Sequence, residues 1–270
     1  MKKRRNYNLI LGLTLTCAMV ALIVMGWLWT PFDPNAMDPA SHLQSPSLTH
    51  LLGTDNFGRD IFSRVLQGAG ATFLIGMAVV LIGGVCGVLI GGFCGYYGGW
   101  LDDLLMRSAD IITAFPSILL ALVIISLIGA GKYRIIIALG VLFIPSFSRL
   151  VRGEVARCKS QEYVANARLM GAKDLRVLFV HILPNTFPVL LSSLAIGFNN
   201  AVLAEASMSY LGIGVQPPDP SLGRMLSEAQ TYFFSAPWYA LSAGCAIVLL
   251  ILGVGLIADG LGGRRRRDRA

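Results

Sequence analysis

The chain has 270 residues, of which 55% are hydrophobic and only 14% are charged. A soluble domain carries about 25% charged residues, so this composition excludes an ordinary soluble protein and indicates an integral membrane protein. Basic residues outnumber acidic residues by 22 to 15, but they cluster beside apolar segments. Membrane orientation explains this excess better than nucleic-acid binding does, and we expect no nucleic-acid partner.

Six apolar segments reach or approach the roughly 20 residues that a helix needs to cross the hydrocarbon core of a bilayer. In chain order they are Leu9–Trp29, Thr72–Gly95, Ile111–Ala130, Ile135–Leu150, Thr186–Ala206 and Trp238–Ala258. The first is too long for a cleaved signal peptide, and no small-residue cleavage site follows it. We therefore predict an all-α integral membrane protein with six transmembrane helices, the first of them uncleaved.

Lysine and arginine are more frequent on the cytoplasmic side of membrane proteins, and they therefore report the orientation of the spans. With the N-terminus inside, the cytoplasmic segments hold 17 of the 22 basic residues and the external segments hold 5. The opposite orientation would invert this bias. The sequence predicts a multi-pass protein in the lipid bilayer, with both termini in the cytoplasm and a basic cytoplasmic tail at residues 261–270.

The boundaries of the spans divide the chain into segments. Residues 1–30 are interpreted as the cytoplasmic N-terminus and the first span, and residues 31–70 as an external segment. Apolar residues toward the end of that external segment keep helical spacing, so we expect an amphipathic helix lying on the outer face of the membrane. Residues 71–260 are interpreted as a five-helix core with a polar cytoplasmic segment at 151–185.

Four glycines recur at every fourth residue of the second span, and we call them the glycine stripe: Gly83, Gly87, Gly91 and Gly95. They make one face of the helix smooth enough for the backbone of another helix to approach closely. Two neighbours satisfy this pattern, a helix of the same chain or a second membrane subunit. We favour packing within the chain.

The sequence contains no constellation for covalent chemistry. It lacks a P-loop motif for nucleotide phosphates and an H-E-x-x-H motif for zinc, and its three histidines are far apart in the predicted topology. We therefore expect no enzymatic activity, no cofactor and no metal site in this chain. No ionisable residue is clearly placed at mid-membrane, which argues against an ion-coupled secondary transporter.

Polar residues at membrane depth are costly, and they are candidates for a transport path. The fifth span carries four of them: Ser192, Ser193, Asn199 and Asn200. Serine and asparagine also form hydrogen bonds between neighbouring helices, and this alternative explains them equally well. We predict that at least one of the four lines a pore.

The polar segment at 151–185, between the fourth and fifth spans, lies in the cytoplasm in the predicted orientation. Helix-forming residues run to Leu169, and Gly171 suits a helix end because glycine adopts the left-handed cap conformation without strain. Asp174 then stands where it would cap a second short helix. The corner between the two helices, Gly171-Ala172, has small side chains that fit a groove on a partner, whereas a solvated loop is the alternative interpretation.

This segment resembles the cytoplasmic coupling motif of ABC-importer membrane subunits, E-A-A-x3-G-x9-I-x-L-P, and we call it the coupling segment. With the glycines aligned, the matching positions are Ala167, Gly171, Leu183 and Pro184. The positions that depart from the motif are Ala165, Asn166 and His181, which replace Glu, Ala and Ile.

Two external stretches are similar to those of the peptide/nickel class of these permeases. The first runs from His50 to Arg64 and contains Gly53-Thr54-Asp55 and Gly58-Arg59-Asp60. The second runs from Ser209 to Pro218. Together with the coupling segment they make the chain resemble the C-type permease subunit of a dipeptide/oligopeptide importer.

This resemblance implies the type I ABC-importer permease fold, with six transmembrane helices and a cytoplasmic coupling helix. It implies a subunit of a bacterial plasma (inner) membrane that forms, with a homologous second permease, the translocation path for di- or oligopeptides. Two ABC ATPase subunits would bind ATP and Mg²⁺, and an external solute-binding protein would deliver the substrate. The ATPases would be coupled through Ala167, Gly171, Ala172, Lys173 and Asp174.

Two alternative functions stay open at the level of sequence. A nickel or metal-chelate importer belongs to the same family, and a chelated metal needs no cluster of methionine, histidine and cysteine side chains. A stand-alone channel or secondary transporter belongs to a different class, and it is disfavoured because no mid-membrane ionisable residue is clear.

Overall fold

A computed structural model describes residues 7–267, with side chains up to residue 260. The predicted basic N-terminal residues and the side chains of the basic tail therefore lie outside the described part. The helices are α1 (Tyr7–Leu28), α2 (Ile61–Tyr97), α3 (Gly99–Ala114), α4 (Ser117–Ile128), α5 (Lys132–Lys159), α6 (Glu162–Leu169), α7 (Asp174–Arg176), α8 (Leu183–Tyr210), α9 (Leu222–Ala229) and α10 (Pro237–Arg267). Between residues 7 and 267 no β-strand is present apart from one isolated bridge.

All six predicted spans are helical in the structure, but the third is bent rather than straight. Five helical segments are each long and apolar enough to cross a membrane, and α3 and α4 meet the same criterion only as a pair, which is bent by 92°. The bend lies at Phe115, whose extended backbone (φ −93°, ψ 143°) precedes Pro116. A residue before proline is disfavoured in the helical conformation, so α3 ends there. The prediction of one continuous span at Ile111–Ala130 is therefore wrong.

Two arginines of α5 hold α3 against the bundle. Arg152 donates two hydrogen bonds to the carboxylate of Asp102, each 2.5 Å long. Arg149 donates to Asp110 at 2.8 Å, about two turns farther along α3. Asp102 and Asp110 therefore hold the amphipathic helix α3 against α5 before the chain bends into α4.

The external amphipathic helix expected before the second span is instead the first part of α2. The helix begins at Ile61, where the carboxylate of Asp60 accepts a hydrogen bond from the N–H of Ser63 at 2.8 Å. It then runs unbroken for 37 residues, about 55 Å at 1.5 Å per residue. Ile61 and Leu66 are buried rather than spread over a membrane surface. The apolar spacing predicts a helix at this position, and the structure shows that this helix continues directly into the span.

The glycine stripe packs within the chain, against α5. A Cβ atom at Gly83 would lie 2.8 Å from Cβ of Phe143, and one at Gly95 would lie 2.5 Å from the carbonyl oxygen of Arg152. Distances this short are too close for carbon atoms in contact, so only glycine allows the two backbones to approach in this way. The predicted intramolecular packing is confirmed, and α2 and α5 form one tightly packed pair.

A buried cluster of four charged residues and one tyrosine joins the segments that are predicted to be external, and we call it the external cap: Asp55, Arg59, Arg64, Glu228 and Tyr239. Arg59 donates to Asp55 at 2.6 Å and to Glu228 at 3.0 Å. The hydroxyl of Tyr239 donates to Glu228 at 2.9 Å, and Arg64 lies 3.5 Å from the same carboxylate. The external cap thereby links the segment before α2 to α2, α9 and α10.

Candidate coupling segment and translocation cavity

The coupling segment begins in the last turns of α5, and its remainder folds as a short helical hairpin beyond the end of that helix. Helix α6 ends at Leu169, and Gly171 follows with a φ of +82°. The N–H of Gly171 donates to the carbonyl of Arg168 at 2.9 Å, and the N–H of Ala172 donates to the carbonyl of Ala167 at 3.1 Å. Glycine adopts this left-handed conformation without the strain that a Cβ atom would cause. The predicted helix end at Gly171 is confirmed.

One face of the hairpin is buried in a hydrophobic cluster. Val164, Val177 and Leu178 are almost inaccessible to solvent and pack with Tyr96 and Val155 of the neighbouring helices. These contacts mount the hairpin on the ends of α2 and α5. The corner of the hairpin is therefore held in a defined position relative to the spans.

The predicted coupling residues fall on both faces of this hairpin. Ala167 is buried, and it is placed to pack the hairpin against the bundle rather than to meet a partner. Ala172 is half-buried beside the same cluster, whereas Gly171 and Lys173 are exposed. A Cβ atom at Gly171 would meet nothing within 4 Å. The open side of the corner is thus formed by Gly171 and its exposed neighbours.

Asp174 does not cap the second helix, contrary to the expectation from sequence. Lys173 occupies the N-cap position, and Asp174 is the first residue of α7. The carboxylate of Asp174 instead accepts a hydrogen bond of 2.5 Å from the hydroxyl of Tyr96. The hydroxyl of Tyr96, on a distant helix, takes the place of the local capping interaction that the sequence suggested.

Sequence reasoning missed two apolar residues at the corner. Leu169 is 86% exposed and Met170 is 89% exposed, directly before Gly171. Apolar side chains that are this fully exposed at a corner are typical of a docking surface. The sequence contained a signal for this surface, because two apolar residues, Leu169 and Met170, directly precede the glycine that is predicted to end the helix.

A cavity of about 460 Å³ lies between α4, α5 and α8. Aromatic and aliphatic side chains form much of its wall, among them Phe143 and Phe147. Its polar lining consists of uncharged groups: Ser117, Ser146, Ser193 and Asn200. No charged side chain of the described residues lines this cavity.

Two of the four predicted pore residues on α8 line the cavity, and the other two do not. Ser193 and Asn200 are seven residues apart, so they lie on one face of the helix, and both line the cavity. The hydroxyl of Ser192 donates to the carbonyl of Pro188 on its own helix at 3.3 Å. Asn199 faces α10, where a Cβ atom at Gly255 would lie 3.1 Å from its amide nitrogen. The cavity therefore receives one residue from each adjacent pair.

Helix α8 is preceded by a wider helical turn. Residues Val177–Ile182 form a π-helix, so that residues from Asp174 to Tyr210 follow one helical path into the membrane. Pro184 has no N–H to donate to the carbonyl of Val180, which helps to explain the change from regular α-helical bonding. The coupling segment is thereby continuous with the helix that carries Ser193 and Asn200.

Comparison with known proteins identifies the family. The model of the "binding-protein-dependent transport system inner membrane component" family matches residues 87–267, two thirds of the chain. This range includes three of the four glycines of the stripe, the coupling segment and the cavity-lining parts of α5 and α8. The chain belongs to this family. It is a permease subunit of an ABC importer and not an enzyme.

Individual relatives extend the similarity to almost the whole permease. The chain is 38% identical over 258 residues to the dipeptide transport system permease protein DppC of Alkalihalophilus pseudofirmus, and the match covers 96% of this chain and 85% of that protein. The chain is 40% identical over 260 residues to the glutathione transport system permease protein GsiD of Escherichia coli O6:K15:H31, and the match covers 96% of this chain and 86% of that protein. The GsiD protein of Shigella dysenteriae serotype 1 is 41% identical over 260 residues.

Proposed function

We propose that the permease forms half of the translocation path for di- or oligopeptides, with a homologous second permease providing the other half. Two ATPase subunits bind ATP and Mg²⁺ on the cytoplasmic side, and an external solute-binding protein delivers the peptide. Both termini lie in the cytoplasm, as the distribution of lysine and arginine indicates. The coupling segment is the surface on which one ATPase docks.

The observation that carries this proposal is the exposed corner of the coupling segment. Leu169 and Met170 project from a hairpin whose other face is anchored in a buried cluster. An apolar anchor at the tip of a rigid support fits a groove on a partner, because little conformational entropy is lost on docking. The basic residues Arg168 and Lys173 flank the anchor and favour an acidic rim on that groove.

The cavity supports a peptide as the substrate. Hydroxyl and amide side chains both donate and accept hydrogen bonds, which suits the N–H and C=O groups of a peptide backbone. Because the described lining carries no charge, the cavity does not favour one charge of peptide side chain over another. Its volume of about 460 Å³ is within the usual range of small-molecule sites. The relatives are dipeptide and glutathione permeases, which supports the same substrate class.

A bare nickel ion has less support. The described residues contain no group of three histidine, cysteine, aspartate or glutamate side chains arranged to hold a metal ion. The uncharged cavity also lacks the thiolate, imidazole and carboxylate ligands that select transition metals.

Replacement of the corner residues tests docking. Gly171→Arg should abolish peptide uptake while the protein still inserts in the membrane, because a long charged side chain fills the small corner. Met170→Arg should lower both uptake and copurification of the ATPase subunits by about tenfold. Met170 has a φ of −78°, so this second variant adds no backbone strain. The measurement is uptake of a labelled dipeptide by the full importer, together with the amount of ATPase retained by the tagged permease.

A matched control is available at the other end of α5. Tyr133 is 77% exposed near the predicted external surface, and Tyr133→Arg should leave ATPase copurification unchanged. Normal uptake by Gly171→Arg at normal protein levels would contradict the docking proposal.

The same uptake experiment also tests the substrate class. Excess unlabelled dipeptide should compete with the labelled dipeptide for uptake, and Ni²⁺ should not. Competition by Ni²⁺ alone would favour the nickel importer instead.

A further inference from the structure

Tyr96 lies in the last turn of α2, directly beneath the coupling segment. Its side chain is 2% exposed and packs with Val155, Val164 and Val177. The ring is therefore part of the buried cluster that supports the hairpin. Neither the family motif nor the predicted coupling residues include this position.

The hydroxyl of Tyr96 binds both arms of the hairpin. It accepts a hydrogen bond from Nη2 of Arg168, at the end of α6, over 3.0 Å. It donates a hydrogen bond to Oδ1 of Asp174, at the start of α7, over 2.5 Å. Gly171 lies between these two residues in the chain. One buried oxygen atom thus connects the two sides of the docking corner to the end of α2.

The backbone of Tyr96 is tied to a third element. Nζ of Lys159, the last residue of α5, donates to the carbonyl oxygen of Tyr96 over 2.5 Å. The ammonium of Lys159 and the guanidinium of Arg168 also lie over the Tyr96 ring, at 5.3 and 5.5 Å from its centroid. Tyr96 therefore links α2, α5 and both arms of the coupling segment.

The glycine stripe extends this link to the cavity. Because α2 and α5 touch backbone to backbone along the stripe, a displacement at their ends moves them as one unit. Gly83 is 13 residues from Tyr96, about 20 Å along the helix, and it contacts Phe143 of the cavity wall. Phe147 lies four residues from Phe143, about one turn farther along α5, and lines the same cavity. Its ring fills the space beside Gly197 of α8.

We propose that Tyr96 is a positioning residue for energy coupling, whose hydroxyl makes the α2–α5 pair follow the movement of the docked corner. This inference rests on the proposed function, because it requires an ATPase at the coupling segment. The aromatic ring contributes packing, and the hydroxyl contributes the connection. Removal of the hydroxyl alone therefore separates coupling from folding.

The test is Tyr96→Phe in the complete importer, reconstituted in proteoliposomes with its ATPase subunits and solute-binding protein. Copurification of the ATPases should stay at the wild-type level, since Leu169, Met170 and Gly171 are unchanged. Uptake of a labelled dipeptide should fall, and the ATP hydrolysed per peptide transported should rise by roughly 5- to 10-fold. A residue with a merely structural role would lower the amount of complex without changing this ratio.

The neighbouring Tyr97 provides the matched control. It is 49% exposed, and its hydroxyl has no hydrogen-bond partner among the described residues. Tyr97→Phe should keep the wild-type ratio of ATP to peptide. Asp174→Ala removes the acceptor of the Tyr96 hydroxyl and should raise the ratio. The double variant with Tyr96→Phe should add little to either single change, because both remove one connection.

Two results would overturn the role of Tyr96. One is a wild-type ratio of ATP to peptide in Tyr96→Phe. The other is a parallel loss of bound ATPase and uptake, which would make the hydroxyl a folding or docking contact. If the wild-type permease itself retained no ATPase, the proposed function would fail, and that result is separate from both.

Discussion

Ser192 and Ser193 are neighbours in the chain, but they have different surroundings. Successive residues of a helix point about 100° apart, so only one residue of each adjacent pair on α8 reaches the cavity. Ser193 and Asn200 line it, whereas Ser192 bonds to its own backbone and Asn199 faces α10. The residue type thus marks a polar stretch, and the helix orientation selects which members can meet a substrate.

At the residue scale, Asn200 is expected to contribute to transport and Ser192 is not. Asn200→Ala removes one hydrogen-bonding side chain from the cavity wall, and the apparent kcat/KM of dipeptide uptake should fall about fivefold, the equivalent of about 1 kcal/mol. Ser192→Ala is the control and should change uptake by less than about twofold. Uptake kinetics in cells that carry equal amounts of each permease measure the difference. Equal effects of the two substitutions would contradict the placement of the path at this cavity.

At the scale of elements, the pair of α2 and α5 is the most constrained part of the bundle. Every fourth residue on the contacting face of α2 is glycine, and the methyl group of alanine has no space there. The sequence predicted the smooth face because the spacing is local. The sequence did not identify α5 as the neighbouring helix, because other apolar segments have a similar hydropathy and could pack against the same glycine face.

Two adjacent glycines of α2 test this packing. A Cβ atom at Gly91 would overlap the carbonyl oxygen of Ser148, whereas one at Gly92 would lie 3.9 Å from Leu183. Gly91→Ala should destabilise the protein by about 1–3 kcal/mol through overpacking. Gly92→Ala should be neutral or stabilising by up to about 1 kcal/mol, because alanine favours a helix more than glycine does. Thermal unfolding in detergent, followed by the reaction of buried Cys94 and Cys158 with a thiol-specific dye, compares the two. An equal loss of stability would argue against close contact at Gly91.

The bent third span shows a limit of hydropathy at the same scale. Average hydropathy detects enough apolar residues at 111–130, but it does not detect a change of direction within them. The dipeptide Phe115-Pro116 carried that information, since proline disfavours a helical conformation in the preceding residue. Helix α2 shows the opposite: no proline or other break separates its first turns, which are predicted to be external, from its membrane-spanning part, so it is longer than the predicted span.

At the scale of the whole molecule, the external cap joins segments that are more than 160 residues apart in the chain. Burial by itself raises the pKa of Glu228, but Arg64, the hydroxyl of Tyr239 and Arg59 more than offset this effect and hold the pKa below its ordinary value. A lowered pKa in the folded state means that the ionised carboxylate stabilises the fold. This stabilisation is fully present above the pKa of unfolded glutamate and is lost as the pH falls through the lower pKa of the folded state.

Replacement of this carboxylate should therefore weaken the external cap. Glu228→Gln leaves the buried Arg59 and Arg64 with Asp55 as their remaining carboxylate partner, and it should lower the free energy of unfolding at pH 7 by about 3–5 kcal/mol. It should also flatten the loss of stability that the wild type shows below about pH 4.5. Thermal unfolding between pH 3 and pH 7 measures both effects. Asp219→Asn is the control, because Asp219 is exposed and has no ion-pair partner in the described part of the chain. An unchanged pH profile in Glu228→Gln would show that other groups control acid stability.

The sequence by itself determined the membrane class, the approximate positions of the spans, the left-handed helix end at Gly171 and the resemblance to importer permeases. These properties depend on local composition and on backbone conformations that single residues allow. Only the tertiary structure decided that Asp174 binds Tyr96, that Ala167 is buried, that Ser193 and Asn200 share a cavity and that the glycine stripe meets α5. Such contacts join residues far apart in the chain, and many pairings of helices satisfy the same local pattern until the packing of the whole bundle selects one.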